Sequence, residues 1–304
     1  MQNTHKTQGF AIVTHGGAGE PLEFTDGCEH AARSGHEKFL ETGDPLDAAI
    51  AAVLVLEEDE RFNAGTGSVL CLDGATIEMD ASIMDTRGRL GAIAGVRDVR
   101  NPILLARAVA DTPHVLLIGE GADRLARALG LEAARPIGDS QREKHKKLLK
   151  ELAGSVPLMP GIDNRMFERF WNYKTPLQLP KSAAHDTVGA VVRTPDGHFA
   201  VAGSTGGSAP SLLGRVGDTA IVGSGFYAGP LGAVAATGIG EHIVRHMLAR
   251  TVYGYIEEGM PLQQALQRGI DLIDKDADTG LIAVTRTEAA SCSNTHMPTG
   301  KIVE

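Results

Sequence analysis

The sequence predicts an α+β protein with helical layers outside a central pair of sheets, and three observations carry that reading. Period-2 apolar runs come in neighbouring pairs, TVGAVVRT (187–194) with HFAVAGST (198–205) and LIAVTR (281–286) with EAASCSNT (288–295). Runs of strands are separated from runs of helices in each half of the chain. One helical stretch, DPLDAAIAAVLVLEEDE (44–60), is apolar on nearly every side through Leu56, so it belongs between layers.

In chain order, FAIVT (10–14) fits a short buried strand and runs into HGGAG (15–19), a glycine-rich turn. Two helical stretches follow. The second has Asp44 at an N-cap position, Pro45 at the first helical position and Asp47 in the first turn. SVLCLDGATIEMDASIM (68–84) reads as two strands joined by a turn at Asp73-Gly74, and GRLGAIAGV (88–96) as a third strand of the same meander. A helix over 101–111, the strand HVLLIG (114–119) and a helix over 120–130 close the first half. Residues 131–186 change character: REKHKKLLKEL (142–152) is charge-rich, and a loop punctuated by Pro157, Pro160, Pro176 and Pro180 follows. A loop of that length is functional or a linker. The 187–205 hairpin turns at PDG (195–197), and helices over about 229–250 and 261–275 precede the final pair of strands. There is no internal repeat.

Composition narrows the function classes. The 304 residues can bury a substantial core, and 42% hydrophobic with 22% charged residues is an ordinary globular mixture. A formal net charge of −9 disfavours nucleic acid or an anionic membrane as the main partner. Cys28, Cys71 and Cys292 are far apart, with no C-x-x-C, and read as reduced packing residues of a cytoplasmic protein. MQNTHKTQGF offers neither a basic n-region nor an apolar stretch, so no signal peptide is expected. No run is long and apolar enough to span a bilayer.

The stretch HDTVGAVV (185–192) raises the chemical question, because Thr187 opens an apolar strand directly after two residues suited to proton handling. It is either an ordinary strand-end threonine or a residue meant to become a chain terminus and attack a carbonyl. Several familiar sites are excluded: there is no G-x-S-x-G elbow and no P-loop, and GIGEHI (238–243) lacks the third glycine of a dinucleotide fingerprint. His242 and His246 are one helical turn apart, but HIVRH lacks the Glu of H-E-x-x-H and reads as a solvated helix face. What remains is three Gly-rich turns downstream of Thr187: STGG (204–207), GRVGD (214–218) and ATGIG (236–240). Together they hold what acyl transfer needs: a nucleophile, oxyanion donors, and fixed charges of both signs to orient a zwitterion.

FNAGTGSV (62–69), EMDASIM (78–84), HDTVGAV (185–191), STGG, GRVGD and ATGIGE (236–241), in this order, resemble the N-terminal-nucleophile hydrolases of the plant-type asparaginase, isoaspartyl peptidase and aspartylglucosaminidase family. HGGAG, and NPILLAR (101–107) ahead of HVLLIGEGA (114–122), fit the same family, and the likeness runs to about residue 283. The resemblance implies a four-layer αββα sandwich made as one precursor. Self-cleavage between Asp186 and Thr187 would give an α chain (1–186, with the linker at about 131–186) and a β chain (187–304), together one domain and expected to associate as an (αβ)2 heterotetramer. The freed α-amine of Thr187 would serve as base for its own hydroxyl, since an α-amine has an unperturbed pKa of about 7.7–8.0.

By the same resemblance, Thr205 would hydrogen-bond the Thr187 hydroxyl, and Asn63 would steady the nucleophile region. Thr237 and the Gly238 N–H would line the oxyanion hole. Arg215 would hold the substrate α-carboxylate, for which a planar guanidinium fork is suited. Asp218, helped by the Gly240 carbonyl, would take the α-ammonium. The chemistry implied requires no cofactor. LEEDERFNAGT (56–66) is similar to the family's sodium loop, with backbone carbonyls of Leu56, Glu57, Asp59, Phe62, Ala64 and Thr66 as the implied ligands; a plain helix-to-strand loop is the alternative.

Three departures bear on the substrate. Asp186 stands where plant-type members usually carry Gly, a form closer to the aspartylglucosaminidase branch; Gly229 replaces a common Asp in FYAG; and the segment after about residue 284 matches no pattern of the family. The reading is hydrolysis of the β-amide of L-asparagine, of β-aspartyl dipeptides, or both. Hydrolysis of N-linked glycosyl-asparagine is the alternative within the enzyme class, and an uncleaved, non-catalytic relative the alternative outside it.

Overall fold

The computed structural model describes residues 9–71, 73–151, 169–174, 184–185 and 187–304. Pro157, Pro160, Pro176, Pro180 and Asp186 lie outside the described residues. The first stretch contributes β1 (Ala11–His15), α1 (Thr25–Thr42), α2 (Pro45–Glu58), β2 (Met79–Asp85), β3 (Leu90–Val96), α3 (Pro102–Val109), β4 (Leu116–Ile118), α4 (Gly119–Ala128) and α5 (Asp139–Glu151). The second contributes β5 (Ala184–His185), β6 (Val188–Arg193), β7 (Phe199–Thr205), β8 (Ser208–Ala209), β9 (Phe226–Gly229) and β10 (Gly232–Gly238). It continues through α6 (Gly240–His246), α7 (Leu248–Glu257), α8 (Leu262–Ile270), β11 (Thr279–Thr285), β12 (Ala289–Ser293) and β13 (Thr299–Val303).

Two larger sheets result, ordered β13-β1-β6-β7-β2-β3-β4 and β12-β11-β10-β9, and β5 pairs with β8 beside them. Every pairing in the two larger sheets is antiparallel except β3 with β4. Successive strand residues point to opposite faces, and here both faces are covered. Ile12, Ile83, Ala190, Val192, Ala200 and Ala202 pack with the apolar residues of α1 to α4. Val13, Val191 and Val201 pack instead with Ala233, Ala235, Ile282 and Val284 of the second sheet. Val234, Ala236, Leu281 and Ala283 turn the other way, onto α6, α7 and α8. Double burial explains why these strands read as nearly continuous apolar runs.

The α2 start is as expected: the Asp44 carboxylate accepts the N–H groups of Leu46 at 2.8 Å and Asp47 at 3.2 Å, closing two orphan donors of the first turn. Both hairpins predicted in the second half form.

Three expectations are corrected. The run after Ser68 is not a strand; it is a loop closed by Cys71 N–H to Thr76 O and by the Asp73 side chain on Ala75 and Thr76 N–H, so only β2 forms from 68–84. The helix expected over 229–250 begins only at Gly240, because GAVAATG is β10, paired along its whole length with β11. The unmatched C-terminal segment ends in β13, which adds to β1 at the edge of the larger sheet. No helix among the described residues is long and apolar enough to cross a membrane.

Candidate active site

Strand ends from both sheets converge on Thr187. The register Val188↔Ser204 puts Thr187 and Thr205 at one end of the β6–β7 hairpin, and Asp80↔Thr205 brings the start of β2 alongside. From the other sheet, the end of β10 delivers Thr237 and Gly238. Thr187, Thr205, Arg215, Gly217, Asp218, Thr219 and Gly238 line one cavity. Thr187 is buried, 6% exposed.

The contacts around the hydroxyl are specific. Thr187 Oγ1 lies 3.2 Å from Thr219 Oγ1, and Thr187 N–H donates to Thr237 Oγ1 at 3.3 Å. Ala18 N–H, from HGGAG, donates to the same Thr237 oxygen at 3.3 Å. Thr205 Oγ1 accepts the Gly207 N–H at 3.2 Å. Asn63 fastens the neighbouring turn: its Nδ2 donates to Gly207 O at 2.8 Å, and its Oδ1 accepts Val69 N–H at 3.0 Å. Behind the nucleophile, burial pushes the His15 imidazole down to about 3 against the opposing pull of the Thr187 backbone, so this ring is neutral.

The charged part of the site is carried by the loop between β8 and β9. Arg215 makes a bidentate pair with Glu241, Nε to Oε1 at 2.9 Å and Nη2 to Oε2 at 2.8 Å. Asp218 is 3% exposed, and its Oδ2 is buried without a hydrogen-bond partner among the described residues. Burial pushes the Asp218 carboxyl up to about 7, with the Arg215 charge opposing. Asp80 is pushed by burial up to about 6, opposed by the Gly95 N–H, the Arg215 charge and the Gly217 N–H. Three carboxylates therefore surround one guanidinium, a field that favours an added cation.

Two glycines permit this packing. Gly238 has φ +132°, and a Cβ there would lie 2.1 Å from Asp278 O; a Cβ on Gly240 would lie 2.7 Å from Arg215 Nη2 and 2.9 Å from Asp218 Oδ1.

All the side chains expected at the site, Asn63, Thr187, Thr205, Arg215, Asp218 and Thr237, come together, with Gly238 and Gly240. Asp186 falls outside the described residues. Sequence reasoning missed Thr219 and Glu241, although the first follows GRVGD directly and the second closes ATGIGE. It also gave no role to Glu78 and Asp80 of EMDASIM.

The loop after α2 is tightly folded. Gly65 packs on the Glu57 carbonyl and Gly67 on the Phe62 carbonyl, each closer than a side chain would allow. The Asp59 carbonyl accepts Phe62 N–H and the Ala64 carbonyl accepts Gly67 N–H. Lys144 Nζ lies 2.6 Å from Glu60 O, so a cation already sits against carbonyls of this loop. The Glu57 side chain is turned away: it accepts Ile103 N–H at 2.9 Å, and burial pushes it up to about 8.

Comparison with known proteins identifies the family. A family model described as asparaginase matches residues 8–302, so the likeness does not stop at about residue 283 as expected but takes in β12 and most of β13. A plant-type L-asparaginase of Pyrococcus horikoshii is 39% identical over 92% of this chain and 90% of its own. A plant-type L-asparaginase of Pyrococcus furiosus is 40% identical over 87% and 85%. An isoaspartyl peptidase/L-asparaginase of Mus musculus is 37% identical over 91% and 82%. With the match running nearly end to end and through every site turn, the chain belongs to the asparaginase family.

Proposed function

We propose that this chain hydrolyses the β-amide of L-asparagine and of β-aspartyl dipeptides, with Thr187 as nucleophile after self-cleavage between Asp186 and Thr187. The observation that carries this reading is that one cavity holds the Thr187 hydroxyl together with Arg215 and the buried carboxylate of Asp218. The names of the relatives point to the same substrates.

The chemistry follows from the placement. In the cleaved form the α-amine of Thr187 takes the hydroxyl proton, and Oγ1 attacks the substrate's β-carbonyl carbon. The oxyanion is stabilised by the Thr237 hydroxyl and the Gly238 N–H. The C–N bond breaks as the amine returns the proton, releasing ammonia or the α-amine of the second residue and leaving a Thr187 ester. Water opens that ester, giving aspartate and regenerating the threonine. Glu241 holds the Nε/Nη2 edge of Arg215 and leaves Nη1 to meet the α-carboxylate. Asp218 Oδ2 accepts the α-ammonium, with the Gly240 carbonyl as second acceptor.

Three further points belong to the reading. The helix-backed sheets form a four-layer αββα sandwich, divided at the cleavage point into chains 1–186 and 187–304, and two such pairs associate. Backbone carbonyls of Leu56, Glu57, Asp59, Phe62, Ala64 and Thr66 would hold a sodium ion that braces the loop carrying Asn63, with no part in the bond-making steps. The folded-back carbonyls at Gly65 and Gly67 support that assignment.

A denaturing gel of fresh protein, followed by kinetics on asparagine, glutamine, β-Asp-Leu and α-Asp-Leu, tests the proposal. Two bands and turnover of asparagine or β-Asp-Leu are expected; a single intact band with no turnover would leave a non-catalytic relative as the answer.

A further inference from the structure

The loop that carries Arg215 and Asp218 has no regular structure of its own between Ala209 and Phe226. Its position must therefore be set from outside. Two carboxylates at the start of β2 reach it: Glu78 Oε2 accepts the Gly214 N–H at 2.7 Å, and Asp80 Oδ2 accepts the Gly217 N–H at 3.3 Å. These two N–H groups bracket Arg215 and Val216. Glu78 and Asp80 are themselves fixed. Glu78 Oε1 is held by Arg97 Nη2 at 2.6 Å, and Asp80 Oδ1 by the Gly95 N–H at 2.9 Å.

The sheet is shaped to supply that last bond. The β2–β3 register passes from Met79↔Val96 to Ala81↔Ile93, so β3 carries one extra residue there, and Gly95 has φ +61°. This is a bulge that frees a backbone donor from the ladder and turns it onto Asp80. Both acids are buried, at 8% and 2% exposure. A carboxylate is needed because each accepts on both oxygens; an amide would turn one acceptor into a donor facing another donor.

We propose that Glu78 and Asp80 are positioning residues of the substrate clamp: two carboxylates that hold the Gly214–Asp218 loop so that Arg215 and Asp218 meet the α-carboxylate and α-ammonium together. This rests on the clamp reading given above. The two acids precede the cleavage point and the loop follows it, so the contact joins the two chains of the processed enzyme.

The test is Asp80→Asn and Glu78→Gln in the full-length chain, with Arg215→Ala alongside, each assayed for kcat and KM on L-asparagine and for self-cleavage on a gel. Asp80→Asn is expected to raise KM about tenfold or more while kcat stays within about threefold and two bands still form. Glu78→Gln should show the same split and serves as the second variant if Asp80→Asn does not fold. Normal KM in both variants with raised KM in Arg215→Ala would overturn the positioning role and keep the clamp. Normal KM in Arg215→Ala would remove the clamp itself. A fall in kcat with KM unchanged in either acid variant would also overturn the proposal, placing these residues with the reacting atoms.

Discussion

Lowering the pH should weaken binding of the product L-aspartate, with Asp218 setting the slope around pH 7 and Asp80, pushed up to about 6, adding to it below. Its carboxyl is pushed up to about 7 by burial, so in the free enzyme it loses its charge across the physiological range. The groups facing it are Arg215, whose positive charge favours ionisation, and Glu241 and Asp80, whose negative charges oppose it. Binding of an α-ammonium needs the ionised form. Affinity is therefore fully present above about pH 7 and lost as pH falls through it, with the dissociation constant scaling as 1 + 10^(7 − pH). That makes binding about tenfold weaker at pH 6 than at pH 8, or about 1.4 kcal/mol. L-Aspartate itself does not titrate in this window, so calorimetry of its binding at pH 8, 7, 6 and 5.5 reads the protein alone. Asp218→Asn should bind weakly at every pH and lose most of the slope. Wild-type affinity that stays flat from pH 8 to 5.5, or a slope unchanged in Asp218→Asn, would refute the reasoning and remove Asp218 as the ammonium acceptor.

Other outcomes follow from the same geometry. Thr187→Ala should give one gel band and no hydrolysis, since a single hydroxyl serves both steps, whereas Thr187→Ser should keep some of each; two bands in Thr187→Ala would separate the two reactions. The enzyme should cleave β-Asp-Leu but not α-Asp-Leu, because the α-linkage consumes the carboxylate that Arg215 holds; Arg215→Ala should raise KM by the equivalent of about 2–5 kcal/mol with self-cleavage retained. Glu57 is held neutral in the fold up to about pH 8, against an ordinary value of 4.5, so its stabilising contribution is complete below about 4.5 and is lost as pH rises through 8. Thermal melts from pH 5 to 9 should accordingly show the difference between wild type and Glu57→Gln moving against the wild type as pH increases.

Much of the fold can be read locally. The 187–205 hairpin declares itself by two apolar runs on either side of a PDG turn, both faces of which prove to be buried, and α2 by its cap and Pro45. GAVAATG could not be read the same way, because five of its seven residues are Gly or Ala and give no telling period; seven paired residues of β11 make it a strand. β13 is an edge strand whose partner β1 lies at the other end of the chain, with Thr14 opposite Gly300. The site was legible through its family resemblance, residue by residue. What escaped were relations between distant residues: Asp80 and Gly217 are 137 positions apart, and nothing near either one signals the other. Thr219 and Glu241 stood inside or beside motifs already singled out, but only folding shows which side chain each one touches.

The strand order β13-β1-β6-β7-β2 threads β1, from the N-terminal piece, between β13 and β6 of the C-terminal piece, and lays β2 against β7. With the peptide bond before Thr187 cut as proposed, the unfolded state would become two separate molecules that must find each other again. Denaturation of the processed enzyme then acquires a molecularity: diluting the protein lowers its unfolding midpoint, while the uncut Thr187→Ala chain melts at the same temperature at any concentration, provided assembly beyond one chain does not contribute. The seven-stranded sheet is incomplete in either fragment alone, so the proposed cut would have to follow folding.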